Sequence, residues 1–138
     1  MKYIIICFSF LLLFSCKEED GSPTSPVNDT FDTNTATLIK SGTFVGIGHT
    51  VTGTVSLYDT GGIKTVMLDP FSTQNGPDLK VYFSADENAS SYISLGQLKS
   101  TMGKQSYEVP DNSDTSQFKF VLIWCEQFTV LFGKAELQ

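Results

Sequence analysis

The sequence contains no arginine, one histidine and only three cysteines among its 138 residues. Each shortage removes a class of chemistry. Phosphate recognition leans on clustered arginine and lysine, so a chain with nine lysines, 15 carboxylates and a net charge of −6 is a poor partner for nucleic acid. A blue-copper centre takes two histidines and a cysteine, and structural zinc takes four cysteine or histidine ligands, so His49 alone completes neither. A lone histidine with no Gly-x-Ser-x-Gly argues against a serine hydrolase, and the absence of Cys-x-x-Cys-His removes covalent c-type haem attachment. Haem held by axial ligands stays open, because one Cys or His suffices for one face and Met67 or Met102 could serve the other. No repeat of about 20–50 residues is visible.

The N-terminus carries one charge at Lys2, an apolar run from Tyr3 to Phe14, and small Ser15 before Cys16. That is the grammar of a secretory signal over residues 1–15, and the run falls short of the roughly 20 residues a bilayer-spanning helix needs. Leu13-Phe14-Ser15-Cys16 resembles the lipobox of bacterial lipoproteins. The resemblance implies cleavage before Cys16 and lipidation of its sulfur, with the membrane as partner through several acyl chains, which together make a stable anchor. An ordinary cleaved signal with a chance cysteine is the plainer reading. Lys17-Glu18-Glu19-Asp20 resembles the lysine-plus-acidic tag that sends some lipoproteins to the outer face of the outer membrane, so the expected location is an outer membrane lipoprotein, on the periplasmic face or at the cell surface.

Processing leaves eight lysines against 15 carboxylates, a net charge of −7, which leaves the acyl group as the sole membrane contact. Residues 16–39 are rich in Ser, Thr, Asn, Asp, Gly and Pro, which predicts a disordered tether. Residues 40–138 remain for one domain with one modest core.

That domain reads as strands. Val51, Gly53, Val55 and Leu57 alternate with Thr50, Thr52, Thr54 and Ser56, the pattern of a half-buried strand with a wet threonine face. Residues 43–48 precede it; 63–69 follow the Asp59-Thr60-Gly61-Gly62 turn, and 79–84 follow Asn75-Gly76-Pro77-Asp78. From Phe118 to Cys125 both parities are apolar, which places that strand mid-sheet with both faces covered. Residues 128–132 make its hairpin partner across Glu126-Gln127, and 134–137 could close the sheet. Residues 94–103 are the one stretch with helical character, and Gly96 and Gly103 confine it to a turn or two. Short strands with turn chemistry between them predict an all-β fold, an antiparallel β-sandwich or flattened barrel in a single domain. Phe44, Phe83, Phe120, Trp124, Phe128 and Phe132 are expected in the core, and Tyr82, sharing a parity with Lys80, could line a binding face. Asp59, Asp69, Asp78, Asp111 and Asp114 fall mostly in turns, their usual structural place.

An ordered set of segments runs through the domain: Gly42-Thr43-Phe44, His49 before Gly53, Gly76-Pro77-Asp78-Leu79, Leu95-Gly96-Gln97-Leu98-Lys99, Gln105 to Pro110, and Ile123-Trp124-Cys125 through Phe128 to Ala135. Together they resemble the DM thirteen electron-transfer domain family over residues 40–138. The resemblance implies an extracytoplasmic β domain with one characteristic cysteine and a redox role, as a bare thiol or through a prosthetic group such as haem. It assigns Cys125 as the catalytic or cofactor-binding residue, with an unidentified redox or surface protein as partner.

Cys125 is the one thiol left once Cys7 is removed with the signal and Cys16 is lipidated. A free cysteine is also among the residues most often buried as inert packing, and Val121 and Ile123 share its parity. Reactivity requires the thiolate, which adjacent Glu126 disfavours, so activation has to come from a residue distant in sequence. His49 is the obvious candidate, with a core-edge histidine as its plain structural reading. Two functions therefore stand side by side: a membrane-tethered redox module, and a non-catalytic surface module that binds glycan, matrix or protein.

Overall fold

A computed structural model describes residues 21–111 and 113–138. The expected signal, the lipobox with Cys16 and the acidic tag fall outside the described residues. Among those described there is no helix, and ten strands form two five-stranded sheets. In chain order they are β1 (Val27–Asn28), β2 (Thr37–Thr43), β3 (Val45–Gly46), β4 (Val51–Thr60), β5 (Ile63–Thr73), β6 (Leu79–Ser84), β7 (Tyr92–Gln97), β8 (Gly103–Glu108), β9 (Phe120–Cys125) and β10 (Val130–Glu136). One sheet runs β1-β8-β5-β4-β2 and the other β3-β10-β9-β6-β7. Every pairing is antiparallel except β1 with β8. The sheets stay open at their edges, so of the two expected architectures the sandwich is the one formed.

The core lies between the sheets. Val55, Leu57, Val66 and Leu68 from one face meet Leu79, Val81, Phe83, Val121, Ile123 and Cys125 from the other. Each such aliphatic side chain withdrawn from water contributes about 1.5–3 kcal/mol. The alternation in β4 holds, with Val51, Val55 and Leu57 buried and Thr52 exposed. β9 is covered on both faces, because a second cluster of Tyr82, Phe120 and Leu122 packs on the outer side of its sheet beneath Ala89, Trp124 and Leu131. The β6–β7 connection supplies part of that cover through Ala89, and its Glu87 is paired with Lys134 Nζ at 2.5 Å.

Three expectations differ. The stretch 94–103 is no helix: Tyr92–Gln97 pairs with β6, and Gly96 at φ +103° serves an extended edge rather than a helical turn. The partner of β9 begins at Val130 instead of 128, because Glu126–Thr129 form the turn with Thr129 at φ +54°, and Phe128 sits on that turn 64% exposed instead of in the core. The segment expected as tether is also shorter at its domain end. β2 starts at Thr37 and pairs with β4, Phe31 packs its ring on Tyr58 at 5.4 Å, and β1 lies against β8.

Tertiary hydrogen bonds hold this N-terminal strap where apolar burial does not. Asn75 takes Ser22 from both sides, its Oδ1 accepting from the Ser22 amide at 3.0 Å and its Nδ2 donating to the Ser22 carbonyl at 3.1 Å. Ser100 Oγ donates to the Ser25 carbonyl at 2.7 Å. Asp29 receives Lys99 Nζ at 2.5 Å and the Ser106 amide at 2.8 Å. Burial pushes the Asp29 carboxyl up, but these donors outweigh it and hold the group below the usual carboxylate range. Since its folded-state pKa lies below the unfolded value of about 3.9, the carboxylate contributes stability that is complete above that value and is lost as pH falls through the folded-state pKa. Acidification below about pH 4 is therefore expected to loosen β1, seen as faster exchange of the Ser106 amide at a given intrinsic rate, and Asp29→Asn should remove this pH dependence.

Candidate functional site

Cys125 is the free cysteine among the described residues, and its side chain is fully buried. It ends β9 opposite Leu79 on β6 and Val130 on β10, facing the inter-sheet core. Its Sγ donates to the Pro77 carbonyl at 3.0 Å. Pro77 is only half-buried, so the turn Asn75–Asp78 that accepts from the sulfur reaches the surface. The strap lies on the same turn through a bridge between Gly21 and Pro77 and through the Asn75–Ser22 pair.

His49 makes no hydrogen bond to this thiol. It precedes β4, half-buried, with its ring stacked on Phe132 at 3.7 Å and 7°. The other side of the arrangement explains Gly76, since a Cβ there would stand 2.6 Å from the Phe132 ring. Phe132 thus touches both the imidazole and Gly76, in the turn whose Pro77 carbonyl accepts from the sulfur. His49 sits half-buried at the edge of the core with an aromatic ring as its partner.

The residues present do not fit a haem ligated by Cys125. The sulfur has no exposed side and is engaged by a backbone carbonyl. Met67 is buried on β5, in the other sheet, and Met102 is 40% exposed beside β1. Among the described residues no group of three His, Cys, Asp or Glu could hold a metal ion.

A feature the sequence reading only grazed lies on the outer face of the same sheet. Tyr82 has the outward parity expected of it yet is only 2% exposed, because Tyr92 stacks on it at 4.1 Å and Trp124 lies nearly parallel at 5.9 Å. Its hydroxyl donates to Glu126 Oε1 at 2.5 Å. Burial, then the bond to Glu126 and the Tyr92 phenol beside it, push the Tyr82 phenol far above its ordinary value. Lys80 Nζ sits 2.9 Å from Asp78 Oδ1 and 3.9 Å from Glu126 Oε2. The rings border a cleft of about 400 Å³ that Asn88 and Thr129 complete. The signal in the sequence is the shared parity of Lys80 and Tyr82; the diagonal placement of Tyr92 depends on the β6–β7 pairing, which a helical turn over 94–103 does not provide.

No curated protein and no solved structure matches the chain. Residues 43–137, from the end of β2 through β10, match the family described as Electron transfer DM13, and the chain belongs to that family.

Proposed function

We propose that this protein is a lipid-anchored, extracytoplasmic electron-transfer module in which Cys125 is the redox group, tethered through Cys16 at the outer membrane and served by a redox protein partner. The observation that carries it is a free thiol with no partner in its own domain, covered by one half-buried turn. Thiol–disulfide exchange is the simplest electron transfer open to such a group. The Cys125 thiolate attacks a partner disulfide, forms a mixed disulfide and releases one partner thiolate; a second external thiol then attacks the mixed disulfide and restores Cys125. When that thiol belongs to a dithiol, its second sulfur then displaces the remaining partner thiolate and closes a disulfide, so that two electrons pass from the dithiol to the original disulfide. The closed turn has to open for this, and His49 acts on the turn through Phe132.

The test is the rate at which native Cys125 reacts with a small thiol reagent. Asn75→Ala removes both bonds to Ser22 and is expected to speed native labelling about fivefold, the equivalent of ~1 kcal/mol, while leaving the denaturation midpoint nearly unchanged. If labelling instead tracks global unfolding in every variant, the sulfur is core packing. The complete burial of Cys125 favours that second reading, a surface-binding module whose cysteine only fills space.

A further inference from the structure

We propose that Tyr82 is a proton-coupled redox site, in which the phenol gives an electron to an acceptor at the Tyr92–Trp124 cleft and its proton to Glu126. The inference rests on the electron-transfer reading above and adds to it a second, one-electron group. Its basis is a set of placements that packing alone does not require. Three rings on three adjacent strands, Trp124 on β9, Tyr82 on β6 and Tyr92 on β7, form one continuous row. The central ring is shielded from water, whereas Tyr92 is 44% exposed and Trp124 half-buried, so the row runs from solvent to a protected centre and back. A phenylalanine would fill the central place equally well. Instead the hydroxyl meets a carboxylate at 2.5 Å, and that carboxylate belongs to the residue after Cys125.

A buried phenol loses an electron readily only if it loses its proton in the same event, because the radical cation is a very strong acid and the low-dielectric site disfavours charge. Glu126 Oε1 is the acceptor already in place. Oxidation by a strong one-electron oxidant, such as an oxygen-centred radical or a high-valent metal centre of a partner, gives the neutral Tyr82 phenoxyl radical, protonated Glu126 and the reduced oxidant. On reduction the electron returns to the ring and the proton moves back from Glu126 to the phenolic oxygen. Tyr92 and Trp124 extend the π contact outward, so the oxidant needs to touch only the cleft.

Flash oxidation of the full chain with photoexcited tris(bipyridine)ruthenium and persulfate, read by electron paramagnetic resonance and transient absorption, tests this. A phenoxyl signal is expected that is absent from Tyr82→Phe, a variant that keeps the ring and its stacking. Glu126→Gln should slow radical formation at least about tenfold, since a positioned base contributes that much or more to a proton transfer. The same signal in Tyr82→Phe, which would place oxidation on an exposed phenol, or an unchanged rate in Glu126→Gln, overturns the proposal. Repeating the measurement in Cys125→Ser separates it from the thiol: radical formation there is expected to persist even if labelling shows Cys125 to be inert, and its loss with the thiol would make Tyr82 no independent site.

Discussion

Gly53→Ala is expected to destabilise the domain by about 3 kcal/mol or more, enough to remove much of the stability of a domain this size. Gly53 holds φ +125° in β4, and a Cβ built on it would stand 2.0 Å from the Pro70 carbonyl oxygen and 2.9 Å from Phe71 Cα. Both obstacles are backbone, held in the β4–β5 ladder where the register shifts between Gly53 and Val55, so neither can swing aside as a side chain would. Gly61→Ala serves as the control. Gly61 also has positive φ, at +62°, but nothing lies within 4 Å of its Cβ position, so only the conformational cost of about 1–2 kcal/mol applies. Urea titrations followed by Trp124 fluorescence should rank the two, and equal midpoints would mean that the β4–β5 bulge yields more easily than its contacts imply.

Phe132→Ala is expected to cost about 3–5 kcal/mol and to raise the native labelling rate of Cys125 well beyond the Asn75→Ala effect. Phe132 is 5% exposed, belongs to the main core, carries the His49 ring on one face and meets Gly76 with its edge. Removing it leaves both the imidazole and the covering turn without a support, so packing and access should fail together. His49→Ala removes one layer and leaves the ring, and should labelling respond to it as strongly as to Phe132→Ala, the imidazole would act on the sulfur by more than support of the turn. Wild-type labelling after Phe132→Ala would show that the turn closes over the thiol without the ring.

The parts of the fold that were legible in sequence are those whose stability is local or strongly patterned. β4 declares itself by alternation, β9 by apolar residues on both parities, and the β4–β5 turn by Asp59, whose Oδ1 accepts from the Gly62 amide at 2.9 Å. The strap was illegible for a physical reason. Its residues are those of a disordered linker, and what orders them is Asn75, Lys99, Ser100 and Ser106, all dozens of residues away. The helical reading of 94–103 failed because Gly96 and Gly103 bracket the stretch for other reasons: Gly96 lies in β7, which pairs with β6, and Gly103 opens β8, where a Cβ would stand 2.1 Å from the Val27 carbonyl oxygen. At the candidate site, the shortage of cysteines could be counted from the sequence, but the ring that His49 stacks on could not. That ring is Phe132, and its contact with His49 joins β10 to the residue before Thr50, a long-range pairing with no local signal.

The Gly21–Pro77 bridge gives the molecule a heading. Under the lipid anchor proposed on Cys16, five residues would be left to reach Gly21, no more than about 18 Å of chain if fully extended. The leash then ends at the cysteine pole of the sandwich, while the Asp59–Gly62 turn lies at the far end of the β4–β5 hairpin from Asn75. So held, the molecule would present Pro77 and the sulfur beneath it downward, toward lipid-resident or bilayer-hugging reactants, and turn its opposite pole to whatever passes by from the medium.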